Sequence, residues 1–382
     1  MKSPQKYTFS FPTTICFGAG VVAELGEYLK DQHLTKPLLV TDPLVRELDF
    51  FTKITSRLER AGISVEVFSE VHKNPVKSDV LKGKKRYQES DRDSIIGIGG
   101  GVGLDVARAI ALSINHHRDL FDYDDLIGGD QYVTEPIPHF VTIPTTAGTG
   151  SEVGRSAIIS EDESKKKRIL FAPSLLAKIV FADPELTMGL PAFVTAATGM
   201  DALTHNMEAY LSKNWHPMCS GIALEGIQLI GKSLEKATLR PDLESRSDML
   251  MASMMGAVAF QKGLGVVHSL AHPLSSLLDT HHGLANAVNL PQGLAFNYGG
   301  FEEKFEQMAL MLGLNKRDGS QLPRYIASLN ARLGLPENLS SIGVQPSHIA
   351  TLSELALADF CHPNNPKPVS QKDFEMMYTN AL

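Results

Sequence analysis

Short apolar runs rich in β-branched residues alternate with amphipathic stretches through the first half of this chain, and then the alternation stops. Strand-like runs fall at Tyr7–Ser10 with Thr14–Phe17, and at Pro37–Thr41, Ile63–Phe68, Ser94–Ile98, Phe140–Ile143 and Ile179–Ala182. Between them, Val21–Asp31, Leu44–Ala61, Ser78–Glu89 and Leu104–Ile114 repeat their apolar residues at helical spacing. Such alternation predicts a mostly parallel sheet, because the crossover helices of parallel strands cover both of its faces. From Ala192 onward only helical periodicity remains, with breaks expected at Trp215-His216-Pro217, Arg240-Pro241, His272-Pro273 and Leu290-Pro291. The pattern predicts an N-terminal α/β domain over residues 1–185 and an all-helical domain over 186–382, with the change near Asp183-Pro184.

Composition narrows the function classes. A chain of 382 residues with 43% hydrophobic and 21% charged residues has ample core for two globular domains. Its net charge of −7 argues against general nucleic-acid binding, which needs a basic surface. Cys16, Cys219 and Cys361 are widely spaced and form no CxxC, so neither a disulfide framework nor a thiolate zinc site is expected. The N-terminal segment has no apolar h-region, and the stretch around Met249–Phe260 is too short to span a bilayer. A cytoplasmic protein without a membrane partner is the expectation.

Two turns carry candidate ligand chemistry. SIIGIGGGVGLDVARAIAL places Gly99, Gly100 and Gly101 between a strand and a helix. There backbone N–H groups and the helix N-terminus can approach a pyrophosphate, although no G-x-G-x-x-G register fits. IPTTAGTGSEVG follows another strand and offers the hydroxyls of Thr145, Thr146 and Thr149. Either turn alone can be a tight turn that satisfies its own backbone. Together they point to a phosphate-bearing ligand at the carboxyl end of a sheet. Asp42 ends the second strand, where a carboxylate can accept hydrogen bonds from ribose hydroxyls and repel a 2′-phosphate. Capping of the following helix is the alternative.

The second half holds a set of candidate metal ligands. Asp201 and His205 are four apart in a helical segment, so they share a face one turn apart. His268 and His282 lie in a second apolar, glycine-flanked segment, where an unpaired polar group is costly to bury. Three imidazoles and one carboxylate suit Fe²⁺, Zn²⁺ or Co²⁺ better than Mg²⁺ or Ca²⁺. Spacing alone leaves open a surface Asp/His pair and a loop histidine that never meet.

The motifs GGGVGLDVARAIA, IPTTAGTGSEV, ADPELT, TAATGMDALTHNMEAY and GLGVVHSLAHPL followed by HHGLANAVNLP keep one order along nearly the whole chain. In that order they resemble the iron-dependent alcohol dehydrogenases, a family that includes enzymes of lactaldehyde and 1,3-propanediol. The resemblance implies a Rossmann-like dinucleotide-binding α/β domain followed by an all-helical metal-binding domain, the dehydroquinate synthase-like fold. It implies NAD(P) as cofactor (the Asp42 carboxylate favouring NAD), Fe²⁺ or Zn²⁺ as metal, a small alcohol or its aldehyde or ketone as substrate, and a homodimer or larger assembly. Asp201, His205, His268 and His282 fall on the family's metal ligands. His272 falls on a histidine that lines the cleft, which makes it the candidate proton relay. Gly99, Gly100 and Gly101 match the pyrophosphate loop, and Thr145, Thr146 and Thr149 the second cofactor loop. Asp42, Asn74, Lys167 and Leu186 match further cofactor-side positions. Val102 replaces the family's usual Ser, Arg108 its usual Lys, and Gly154-Arg155 its usual Thr and the residue after it. A glycerol- or hydroxy-acid-type dehydrogenase on the same scaffold, a metal-dependent hydrolase, or a non-catalytic sensor are the other classes these residues allow.

Overall fold

The computed structural model describes residues 10–11, 13–314 and 318–382. The first part of the expected opening strand, residues 7–9, lies outside the described residues. Six strands form one sheet: β1 (Thr14–Phe17), β2 (Pro37–Val40), β3 (Glu66–Phe68), β4 (Ser94–Gly99), β5 (His139–Pro144) and β8 (Ile179–Ala182). Their spatial order is β1-β8-β5-β4-β2-β3, and every neighbouring pair is parallel. Alternate residues of β2 and β4 serve opposite faces, as the two-residue strand period requires. Leu38, Val40 and Ile95 pack with Val106 and Ile110 of the helix Gly101–Asn115. Leu39, Ile96 and Ile98 pack with Leu25, Phe51 and Ile54 on the other side. All four residues of β2 are therefore buried, as expected of an inner parallel strand.

Three departures from the sequence pattern have physical causes. An antiparallel hairpin, β6 (Ser156–Ser160) with β7 (Lys167–Phe171), was not expected; its second strand opens inside the charged run Lys165–Arg168. Arg168 there pairs with Asp124 and Glu161, whereas Lys165 and Lys166 stay exposed in the turn before the strand. The expected helix over Leu44–Ala61 is two helices, Pro43–Arg46 and Asp49–Arg60, because Leu48 takes extended backbone between them. In the other half, Trp215-His216-Pro217 and Arg240-Pro241 do separate helices, but Pro273 and Pro291 sit inside the helices Val266–Leu278 and His282–Asn297. A proline leaves the carbonyl four residues earlier without its N–H partner. For Pro291 that carbonyl is Ala287's, and the Asn330 side chain donates to it at 2.7 Å. In the turn before Pro273, the Tyr378 hydroxyl donates to the Leu270 carbonyl at 2.7 Å.

From Ala192 to the end, the described regular elements are all helices. None among the described residues is by itself long and apolar enough to cross a membrane. Two glycines permit close approaches to the helix Ala192–Leu211, one from the sheet half and one from within the helical half. A Cβ on Gly148, in the threonine loop, would come within 2.7 Å of Thr198 Cβ, one turn before Asp201. A Cβ on Gly283 would meet the Ala197 carbonyl oxygen at 2.2 Å. Only glycine permits these approaches. They bring the threonine loop and His282 against the helix Ala192–Leu211, which carries Asp201 and His205.

Candidate active site

Three helices converge on one cluster. Asp201 and His205 come from Ala192–Leu211, His268 from Val266–Leu278, and His282 opens His282–Asn297. One ligand atom from each lies within 4.8 Å of the others. Asp201 Oδ1 is 3.8 Å from His205 Nε2, 3.8 Å from His268 Nε2 and 3.5 Å from His282 Nε2. Tetrahedral bonds of ~2.1 Å would set neighbouring ligand atoms about 3.4 Å apart, so the cluster is close to that size. Asp201, His205 and His268 are nearly inaccessible, whereas the His282 side chain keeps 30% exposure and marks the open side.

The electrostatics suit a cation. Burial holds His268 and His282 well below the usual imidazole range, so both are neutral. Burial also works against the Asp201 carboxylate, but His205, His282, His268 and the Asn286 amide outweigh it and hold its pKa at about 2. His268 Nδ1 lies 2.6 Å from Glu208 Oε2, which commits the ring's proton to that side. Its Nε2 lone pair then faces a carboxylate oxygen in a dry site, and a divalent cation relieves that opposition.

Three residues that the sequence reading did not single out stand at this cluster. Asn286, one turn beyond His282, directs Nδ2 at Asp201 Oδ1 (2.7 Å), near His282 Nε2 (3.2 Å) and His268 Nε2 (3.3 Å). Glu208, three residues after His205, reaches His268 from behind. Helical spacing was the available signal for both. Asp359 had no such spacing to mark it, since it comes from a distant loop. It meets His272 Nδ1 at 2.8 Å and accepts from Ser269 Oγ (2.6 Å) and the Cys361 N–H (2.9 Å). Burial opposes the Asp359 charge, but His272 and these donors hold its carboxyl well below the usual carboxylate range. Burial pushes the neighbouring Cys361 thiol well up, so it stays protonated and forms a wall rather than a nucleophile.

The cofactor-side residues divide into two groups. Gly99, Gly100 and Gly101 end β4 and open the next helix, and the threonine loop lies directly on them. Thr145 N–H bonds the Gly99 carbonyl at 3.0 Å. A Cβ on Gly100 would meet Thr146 at 3.1 Å, and one on Gly101 would meet Thr149 at 3.1 Å. Asp42 is beside them. Its Oδ1 caps the helix Pro43–Arg46 through the Leu44 and Val45 N–H groups (2.9 and 3.0 Å), while Oδ2 lies 3.5 Å from the Cβ position of Gly99. The cap and an acceptor at the glycine loop are thus two ends of one carboxylate.

Asn74, Lys167 and Leu186 are not at that junction. Asn74 Nδ2 is on Asp279 Oδ1 at 2.5 Å, and Lys73 is 3.1 Å from the same carboxylate, so the two halves are tied three residues before His282. Lys167 opens β7; burial lowers its pKa, and Asp279 and Asp359 pull it back up. Leu186 is 7% exposed and packs in the core with Ile98 and Ile143, so its side chain is spent on packing. The family's usual Lys position, Arg108, is fully buried. It binds Asp105, both Ser151 oxygens and the Ser156 and Leu175 carbonyls, pinning the glycine helix to the threonine loop.

The sequence models of this architecture decide its kinship. "Iron-containing alcohol dehydrogenase" matches residues 12–184, and "Fe-containing alcohol dehydrogenase family, C-terminal" matches residues 195–382. This chain belongs to the iron-containing alcohol dehydrogenase family. The 4-hydroxybutyrate dehydrogenase of Cupriavidus necator is 37% identical, over 97% of this chain and 98% of its own. A crystal structure of a 1,3-propanediol oxidoreductase superposes with a TM-score of 0.94 at 33% identity, covering 99% of this chain and 100% of its own. The sulfoacetaldehyde reductase of Bifidobacterium kashiwanohense, solved in complex with NAD⁺, superposes with a TM-score of 0.87 at 25% identity, over 99% of each chain. Membership accounts for the motif order along the chain and for the pairing of a parallel-sheet half with a helical half.

Proposed function

We propose that this chain is a metal-dependent, NAD-linked dehydrogenase that interconverts a small primary or secondary alcohol, or a diol, with its aldehyde or ketone. The convergence of Asp201, His205, His268 and His282 carries the reading. Asp201, His205, His268 and His282 hold the metal, with Fe²⁺ favoured by the family and Zn²⁺ compatible with the same donors. Gly99, Gly100 and Gly101 receive the pyrophosphate of NAD, Thr145, Thr146 and Thr149 line the other side, and Asp42 faces the adenosine ribose. Asn74 and Lys167 serve the cofactor from the rim of the same cleft, and Leu186 offers it backbone rather than side chain. The domains run 1–185 and 186–382, in keeping with family matches that leave only residues 185–194 between them. A homodimer or larger assembly in the cytoplasm, without nucleic-acid or membrane partners, completes the reading.

A divalent metal in such a set supplies Lewis acidity towards an alcohol oxygen, and a nicotinamide supplies the hydride acceptor. The protein's own share is positioning and proton handling. Gly148 against Thr198 fixes the distance from the threonine loop to the helix of Asp201 and His205, and Gly283 against Ala197 fixes that helix against the one that His282 opens, which sets the register of the reacting atoms. Phe260 against His205 (5.2 Å) and Phe360 against His272 (5.6 Å) line the cluster with apolar surface that limits water. His272 Nδ1 is held by Asp359, so Nε2 is the atom that exchanges a proton with the substrate side.

The reading is tested by an NAD⁺- or NADP⁺-coupled screen of small alcohols, diols and hydroxy acids, using protein reconstituted anaerobically with Fe²⁺. Hydroxy acids belong in the screen because of the 4-hydroxybutyrate dehydrogenase relative. Nicotinamide reduction by at least one class is expected. No reduction with any class, together with no enhancement of NADH fluorescence on binding, would sink it.

A further inference from the structure

Glu208 is a buried carboxylate that the reaction as described leaves without a task. It is 3% exposed and sits on the helix Ala192–Leu211, three residues after His205. Its oxygens meet the next histidine helix at its start. Oε1 accepts from the Val267 N–H at 2.6 Å; Oε2 accepts from the His268 N–H at 3.4 Å and from His268 Nδ1 at 2.6 Å. The approach depends on Gly265, where a Cβ would lie 2.9 Å from Oε1. Asn365 Oδ1 takes the Val266 N–H at 3.2 Å and so leaves the carboxylate to the next two residues.

A carboxylate only accepts hydrogen bonds, and a neutral imidazole carries one N–H. The short contact at Nδ1 therefore places that proton on Nδ1 and leaves Nε2 as a bare lone pair. That Nε2 is the atom 3.8 Å from Asp201 Oδ1, inside the four-residue cluster. His205 lacks an equivalent brace among the described residues, where its buried Nδ1 finds no partner. We infer that Glu208 is a positioning residue that dictates the tautomer and ring orientation of His268, so that its Nε2 is always ready for a divalent cation. Outer carboxylates of this kind orient a metal-binding imidazole and strengthen its basicity. The inference rests on the reading of Asp201, His205, His268 and His282 as a metal site.

Glu208→Gln separates this role from packing and capping. The amide fills the same volume and keeps an acceptor oxygen for the Val267 N–H, but it offers an N–H₂ to His268 Nδ1. That favours the other tautomer, with Nε2 protonated. Glu208→Asp keeps a carboxylate acceptor and loses packing instead. Metal-free wild type, Glu208→Gln and Glu208→Asp are titrated with Co²⁺ alone, reading affinity and the visible absorption spectrum. NADH fluorescence enhancement and the melting temperature report the fold. Glu208→Gln is expected to bind Co²⁺ roughly 10–100-fold more weakly, with an altered spectrum, and Glu208→Asp to stay closer to wild type. Glu208→Gln with wild-type affinity and spectrum, or Glu208→Asp as the weaker of the two, overturns the inference. Wild type that takes up no Co²⁺ overturns the metal-site reading itself. Histidine-selective ¹⁵N spectra of the metal-free wild type, with His268 assigned from a His268→Gln control, need no change at Glu208. A His268 protonated at Nε2 there also overturns the inference.

Discussion

His272 offers Asp359 its Nδ1 at 2.8 Å while its ring lies nearly parallel to that of His282, with 5.4 Å between centroids and 16° between planes. One turn of helix separates it from His268, so a single helix face presents one imidazole to the cluster and a second beside it. Asp359 stands behind the second as Glu208 stands behind the first. The likeness ends at Nε2, which in His268 faces Asp201 and in His272 is left to the cleft.

His272→Ala should therefore lower turnover by roughly a hundredfold, the usual worth of a general acid–base group, while metal content stays at the wild-type level. Asp359→Asn should give a smaller loss of the same kind. Steady-state rates across pH, with metal analysis of the same samples, check both. An unchanged pH–rate profile for His272→Ala would make it a packed wall of the pocket.

Removal of His268 or His282 tests the cluster directly. His268→Ala and His282→Ala should each abolish turnover and lower metal content below one ion per chain. NADH binding should persist, because the glycine and threonine loops lie in the other half. Full activity of a thoroughly chelated wild type is the result that would refute a metal role. With Fe²⁺ bound, activity should also decay in air or peroxide, whereas an air-stable enzyme points to Zn²⁺.

Asp42 should impose a preference for NAD over NADP of at least roughly tenfold, about 1.4 kcal/mol. Because its Oδ1 also caps Pro43–Arg46, Asp42→Gly combines loss of charge with loss of the cap. Asp42→Asn keeps the cap acceptor and removes only the charge. Both should narrow the preference in kcat/KM, and Asp42→Asn should do so with little change in melting temperature. Wild type that uses the two cofactors equally would mean that Oδ2 does not face the ribose.

Glu152 gives a pH dependence of stability. It is 1% exposed, its Oε1 has no partner among the described residues, and burial pushes its pKa up to about 7 against the pull of Arg108. Arg108 does not pair with it because its N–H groups are taken by Asp105, Ser151, Ser156 and Leu175. Between the unfolded value of 4.5 and about 7, the folded chain binds the extra proton. Stability from this group therefore falls as pH rises through that window. Glu152→Gln, neutral throughout, should flatten the slope between pH 4.5 and 7 and raise stability at pH 8 by about 1–3 kcal/mol. Denaturant unfolding at several pH values measures it, and parallel slopes for the two proteins would rule it out.

The alternation of apolar runs determined the parallel sheet and its covered faces, because period-2 and period-3.6 patterns are local properties of the chain. The glycine and threonine turns were legible for the same reason, each being one short segment with its own chemistry. So were Asp201 and His205, since four residues on a helix is a fixed geometry. Proline misled where a remote side chain answered for the lost hydrogen bond: nothing near Pro291 announces that Asn330 donates to Ala287. The strand β7 escaped the pattern because its Arg168 is held by Asp124 from another part of the chain and by Glu161 across the hairpin turn. Their apolar, glycine-flanked segment marked His268 and His282 as candidate ligands, but only the tertiary structure brought them to Asp201, His282 approaching over the bare backbone of Gly283. Glu208 behind His268, Asp359 behind His272 and the tie from Asn74 to Asp279 were likewise decided there. Each joins residues tens to hundreds of positions apart, and a partner at that distance leaves no periodic trace in a single sequence.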